Sequence, residues 1–144
     1  MWFRPLGLIK RANVLIECSK VVLENYNGFL PSKINQLLNL PGLGQYSARA
    51  VACLAFDAAV PMIDESSGRL LRRVFGFPSN KPAYSDKELL KIAADLLPNN
   101  SPREFNLGLL DIAAAYCHVR NPDCSKCPLS FFCKMFSSNL QKDR

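Results

Sequence analysis

Apolar residues recur along this chain at helical spacing, and no segment alternates with a two-residue period. The pattern therefore predicts an all-α fold. The first helix runs from Leu8 to Tyr26, with Leu8, Ala12, Leu15 and Val22 on its apolar stripe and Asn27-Gly28 as a left-handed stop. Ser32 can cap a short helix reaching about Asn39, and Gln45 to Asp57 forms a small-residue, apolar helix suited to close packing. Asp64 caps a helix to Phe75, with Gly76 as its terminator. Two capping boxes follow. Ser85-x-x-Glu88 opens a helix closed by Pro98, and Ser101-Pro102-x-Glu104 opens another with proline at its first position. From His118 onward the chain reads mostly as loop, organised by its cysteines.

Composition narrows the class. The 144 residues carry 18 Lys and Arg against 12 Asp and Glu, a formal net charge of +6, and 49% are hydrophobic. That is enough for one compact core, and the basic surplus favours a polyanionic partner. No apolar run reaches the roughly 18–20 residues that span a bilayer. Met1–Arg11 lacks the apolar centre of a signal peptide. The expectation is a cytoplasmic, nucleic-acid-facing protein with no membrane partner.

Four cysteines, Cys117, Cys124, Cys127 and Cys133, lie within seventeen residues as C-x6-C-x2-C-x5-C. Thiolates recurring at such short loop intervals point to ligands converging on one centre. The C-x2-C step lets two sulfurs share it, and the longer gaps wrap the chain around the far side. Two disulfides would suit a secreted protein better, and they would leave Cys18 and Cys53 over as lone thiols in apolar helices. Spacing alone does not separate a four-cysteine zinc site from an iron–sulfur cluster. His118, the only histidine, neighbours a ligand rather than joining the set.

Leu40-Pro41-Gly42-Leu43-Gly44 sits between two helices. Pro41 ends the first, and the glycines permit positive φ and close approach of another backbone. Such a turn feeding a helix exposes N–H groups at the positive end of the helix dipole, where a phosphate oxygen binds. A plain interhelical turn has the same pattern.

Taken in order and spacing, Leu40-Pro41-Gly42-Leu43-Gly44, then Ile63-Asp64, then the four-cysteine tail resemble the helix-hairpin-helix DNA glycosylase superfamily with a [4Fe-4S] cluster. That group contains endonuclease III, the adenine glycosylase MutY and the thymine–DNA mismatch glycosylases. The resemblance runs from Leu6-Gly7-Leu8 to Cys133 and favours cluster over zinc. It implies a partial form of that fold with a C-terminal cluster loop. Residues 1–58 would hold part of a six-helix domain with the hairpin, and 59–144 the catalytic helix and cluster. Leu40, Gly42, Leu43, Gly44 and Gln45 would grip DNA phosphate, aided by Arg120 and Lys126 in the loops between ligands. Cys117, Cys124, Cys127 and Cys133 would hold the cluster. The implied partner is double-stranded DNA with a flipped base, in a prokaryotic nucleoid.

The resemblance also assigns chemistry. Breaking an N-glycosidic bond develops oxocarbenium character on the sugar, which a carboxylate stabilises, and Asp64 stands at that position. Its plain alternative is a helix N-cap, and the two roles are compatible. Members that also cut the backbone carry a lysine where this chain has Tyr46, in Gly44-Gln45-Tyr46-Ser47. A phenol cannot form the imine, so base removal without efficient strand cleavage is implied. Tyrosine there resembles the mismatch branch, whose targets are thymine or uracil opposite guanine. Adenine opposite 8-oxoguanine comes second, and Asn106 in Phe105-Asn106 fits both branches. A core aromatic is the other reading of Tyr46.

Departures shape the remaining expectations. Glu65-Ser66-Ser67 differs from the residues usual after the aspartate. Glu65 either points inward and raises the Asp64 pKa, or sits solvated in a helix's first turn. Arg69, Arg72 and Arg73 read as a solvated helical face or as DNA contacts. Family members begin with several more helices, so a missing N-terminal segment is expected, with exposed apolar surface and weak or absent activity for these 144 residues alone. The alternative is a catalytically incomplete DNA-binding remnant.

Overall fold

A computed structural model describes residues 9–142, and no strand occurs among them. Seven α-helices follow in order: α1 (Ile9–Tyr26), α2 (Ile34–Leu37), α3 (Gln45–Phe56), α4 (Glu65–Phe75), α5 (Lys87–Leu96), α6 (Pro102–Ala115) and α7 (Lys134–Lys142). Two 3-10 turns, Ala83–Ser85 and Ser130–Phe132, lie between them. None of the described helices is long and apolar enough to cross a membrane. Leu6-Gly7-Leu8, where the family resemblance starts, lies outside the described residues.

Several helix ends follow local chemistry as expected. Asn27 and Gly28 take positive φ after α1, and Gly76 closes α4 at φ 68°. Other ends differ. Asp86, not Ser85, caps α5: its carboxylate accepts from the Leu89 N–H, while the Ser85 hydroxyl donates to the Pro82 carbonyl and ends a 3-10 turn. The carboxylate wins because it also pairs with the Arg72 guanidinium at 2.9 Å. Ser101 stands at the start of α6 without a side-chain capping bond, so the preset φ of Pro102 begins that helix. Ser32 caps nothing; α2 starts after Lys33 and lasts one turn. The tail is less loop-like than its sequence suggests, because α7 turns Met135 and Phe136 against the core.

Buried apolar side chains form two clusters. One joins α4, α5, α6 and the cysteine segment through Leu70, Leu71, Leu89, Leu109, Ala113 and Cys117. The other joins α1, α2 and α3 through Val22, Leu37, Leu40, Ala48 and Ala52. Leu15, Ile16 and Leu23 of α1 and Phe29 after it are exposed.

Asn106 of α6 ties the two halves together. It is fully buried, and its Oδ1 accepts the Met62 N–H at 2.9 Å. Its Nδ2 donates to the carbonyls of Val60 (3.0 Å) and Pro102 (2.9 Å) and to Cys53 Sγ on α3 (3.3 Å). The amide thus clamps the segment that delivers Asp64, a job its sequence pattern does not reveal.

Candidate functional site

The site begins with a turn that only glycine fits. Leu37 and Leu40 anchor the end of α2 in the core, and Leu43 N–H donates back to the Leu40 carbonyl at 3.2 Å. Between them Gly42 takes φ 82°, and a Cβ there would collide with Val14 Cγ1 of α1. Gly44 is different. It precedes α3 with ordinary φ −88°, and an added Cβ would enter open space. Nothing among the described residues therefore demands glycine at that position. The α3 N-terminus also has no side-chain cap. Its first-turn N–H groups lack the intrahelical partners that later ones have. Leu40 itself is buried in the core, while Gln45 is exposed.

The second residue of that helix is Tyr46, half-buried. Burial raises its phenol above the usual value, and the Asp64 carboxylate adds to the rise. The two sequence-predicted residues, eighteen apart in the chain, therefore lie within electrostatic reach of each other.

Asp64 caps α4, and its two oxygens are used unequally. Oδ1 accepts from the N–H groups of Ser66 (3.0 Å) and Ser67 (2.8 Å) and from the Ser67 hydroxyl (2.8 Å). The Asp64 N–H donates to Ser67 Oγ at 3.0 Å, completing a capping box. Oδ2 has no hydrogen-bond partner among the described residues. One oxygen thus holds the side chain in place, while the other is uncommitted among the described residues. Ser67 is the residue that sequence inspection misses; Asp-x-x-Ser ahead of an apolar stripe is its only signal. Glu65 sits exposed in the first turn of α4, as one of its two readings has it, and its Oε1 also accepts the Ala83 N–H at 2.8 Å.

At the other end of α4, Cys117, Cys124, Cys127 and Cys133 all line one cavity, walled by Leu70, Val74, Leu129, Met135 and Phe136. No cysteine is in a disulfide. Among the described residues, no three His, Cys, Asp or Glu side chains form a group compact enough for a single metal ion. Burial pushes the Cys124 thiol up, and the other three sulfurs push it further, which shows how closely the four charges would crowd. Arginines of α4 hold this segment. Arg69 Nε donates to the Cys117 carbonyl at 2.8 Å, and Arg73 donates to Cys117 Sγ (3.3 Å) and to the carbonyls of His118 (2.7 Å) and Val119 (3.2 Å). Arg72 bonds to the Lys81 carbonyl and Asp86. All three expected either on a solvated face or on DNA are therefore internal ties. Arg120 is exposed in the cysteine segment, and exposed Lys126 pairs with Asp123 at 3.2 Å.

No protein-family model matches the chain. A thymine/uracil-DNA glycosylase of Methanothermobacter thermautotrophicus is 39% identical over 134 residues, which make up 92% of this chain and 61% of that protein. An adenine DNA glycosylase of Arabidopsis thaliana is 38% identical over 138 residues, 95% of this chain and 22% of that one. The structure of a thermostable thymine-DNA glycosylase superimposes with a TM-score of 0.82 at 39% identity, over 90% of this chain and 59% of the other. A non-covalent endonuclease III–DNA complex gives 0.79 at 23% identity, over 96% of this chain and 64% of that one, a likeness of fold. The chain thus spans less than two thirds of the length of each of these proteins.

Proposed function

Because this chain belongs to the helix-hairpin-helix DNA glycosylase superfamily, we propose that it removes a mispaired or damaged base from duplex DNA by hydrolysing the N-glycosidic bond. The observation that carries this reading is the divided Asp64 carboxylate, held at Oδ1 and without a partner at Oδ2 among the described residues, within electrostatic reach of Tyr46 at the start of the hairpin's second helix. A fixed anion beside a sugar stabilises positive charge as the bond breaks, and its free oxygen can orient the attacking water. Tyr46 supplies an aromatic surface and a hydroxyl there, but no amine. Without an amine no imine to the sugar forms, so strand cleavage does not accompany base removal.

DNA would dock where the α3 N-terminus lacks a cap. Gly44 leaves room for a phosphate oxygen to meet the N–H groups of the helix start. Base flipping costs roughly a few kcal/mol, which such contacts offset. Thymine or uracil opposite guanine is the first expected target, in line with a 39% identical relative named for both bases, and adenine opposite 8-oxoguanine the second.

Cys117, Cys124, Cys127 and Cys133 would hold a [4Fe-4S] cluster. Zinc requires every sulfur at about 2.3 Å from one ion, whereas a cluster gives each thiolate its own iron. Four sulfurs lining one cavity are consistent with the second arrangement, which the family resemblance favours. The cluster would serve as a structural cross-link, and the chain's own residues would do the rest: Arg73 would donate to the Cys117 thiolate and hold the following carbonyls.

The test is an abasic-product assay on G·T, G·U and A·8-oxoguanine duplexes, with and without alkali. Strand breaks that need alkali are expected, and they should vanish in Asp64→Asn while duplex binding persists. Full turnover by Asp64→Asn would overturn the mechanism. Duplex retention with no product from any substrate would identify a DNA-binding remnant instead. Iron and sulfide analysis of anaerobically purified protein tests the cluster separately.

A further inference from the structure

An open groove of about 410 Å³ runs beside the hairpin, lined by residues of α2, α3 and α5. Its floor is Ile34, Val60 and Pro61, the last two belonging to the segment that delivers Asp64. Three cations line it, Arg49 from α3 and Lys87 and Lys91 from α5, and no acidic side chain does. Glu88 and Asp95 share α5 but lie outside this lining.

None of the three cations has an ion-pair or hydrogen-bond partner among the described residues, where the carboxylate pairs are Arg72–Asp86, Arg103–Asp57 and Lys126–Asp123. Lys87 and Lys91 lose little by this, since they are exposed. Arg49 is half-buried, and the lost hydration lowers its pKa. A partly desolvated guanidinium without an anionic partner, in a groove it shares with two lysines, is a standing cost that an anion would remove. The spacing suits a string of anions rather than one. Lys87 and Lys91 are a helical turn apart on one face. Arg49 lies four residues beyond Gln45, about 6 Å along the α3 axis, comparable to one to two of the roughly 3.4 Å axial rises per phosphate of one DNA strand.

We propose that Arg49, Lys87 and Lys91 form a second phosphate-binding rail for duplex DNA, carrying the backbone past the uncapped start of α3. The inference rests on the DNA-binding reading above and adds to it a contact surface on α5. It makes this groove part of the footprint, so the duplex is held on both sides of the segment leading to Asp64.

The experiment is fluorescence anisotropy with a labelled G·T duplex, followed from 50 to 200 mM KCl. Each lost phosphate contact should flatten the slope of log K against log salt by about 0.9. Lys87→Gln/Lys91→Gln should therefore lose about 1.8 and Arg49→Gln about 0.9, while Arg49→Lys keeps the wild-type slope. Thermal unfolding at matched temperatures confirms that the variants are folded. Gly44→Val, whose Cβ would enter open space, reports on the hairpin. If Gly44→Val weakens binding while folded Lys87→Gln/Lys91→Gln retains the wild-type slope, the rail is wrong and the hairpin reading stands. If the wild-type chain shows no salt-dependent binding at all, both fall together.

Discussion

Replacing Asn106 is the most informative perturbation of the fold around Asp64. Asn106→Leu keeps the side chain's size and removes every hydrogen bond it makes. The Pro102 carbonyl keeps its helical partner, but the Met62 N–H and the Val60 carbonyl would be left unpaired. Each orphaned buried group costs about 1–3 kcal/mol, and the Val60 carbonyl is only partly buried, so the variant should lose about 2–5 kcal/mol. Total stability for a domain of this kind is about 5–15 kcal/mol, which makes that loss a large fraction of it. At about 2–4 °C per kcal/mol, Tm should fall by roughly 4–20 °C. Asn106→Asp separates polarity from shape. It retains an acceptor for the Met62 N–H but turns a carboxylate on two carbonyls and a sulfur, so it should destabilise as much as leucine or more. Urea unfolding followed by circular dichroism measures both. If either variant stayed within about 0.5 kcal/mol of wild type, the clamp would not be what orders residues 60–64.

Other expectations are briefer. Asp64→Ala removes the capping acceptor as well as the charge, so it should cost about 1 kcal/mol of stability in addition to activity, whereas Asp64→Asn keeps an acceptor and most of the stability. Tyr46→Lys places an amine beside the sugar, and borohydride should then trap a protein–DNA adduct absent from wild type. Gly42→Ala must adopt positive φ and displace Val14, for a loss of about 2–4 kcal/mol in chemical unfolding. Asp86 gives the pH dependence. The Ser79 hydroxyl, and after it the Arg72 guanidinium and the Leu89 N–H, hold its carboxyl down to about 2, from 3.8 unfolded. A depressed pKa contributes stability that is complete above pH 3.8 and lost as pH falls toward 2. The contribution is about 2 kcal/mol. Asp86→Asn should flatten acid unfolding across that window, and an unchanged profile would show that the contribution lies elsewhere.

Much of this architecture is legible in the residues because local chemistry decides it. Positive φ at Asn27, Gly28 and Gly76 ends helices where sequence says they end, and the Asp64 cap needs only its own first turn. The hairpin is legible because Pro41 and Gly42 allow so few conformations. What stays hidden depends on neighbours distant in sequence. Asp86 displaces Ser85 as a cap through Arg72, fourteen residues away. Asn106 reaches forty-four residues back to Met62. Arg69 and Arg73 carry the pattern of a solvated helix face, and only the fold brings Cys117 within their reach. The α7 helix is nine residues long, too short for its periodicity to stand out against the cysteine spacing.

Helix α4 explains how the two candidate centres act on one another. Its eleven residues make a rod roughly 16 Å long, with Asp64 at the N-terminus and Arg69, Arg72 and Arg73 on its later turns. Ser67 and the cap fix the first end, and hydrogen bonds to Cys117, His118 and Val119 fix the other. The buried residues between them, Leu70, Leu71 and Val74, belong to the same core cluster as Cys117 and Cys133. A helix held this way does not slide or rotate independently of the cysteine segment. If that segment loosens, the arginine bonds go first, and the rod is freed at one end while Asp64 still caps the other. The free carboxylate oxygen would then lose its aim before the fold is lost. Damage to the cysteine segment should therefore lower base excision at temperatures where helix content is still intact. A variant such as Cys124→Ser whose excision and circular dichroism melt together would show that α4 transmits nothing.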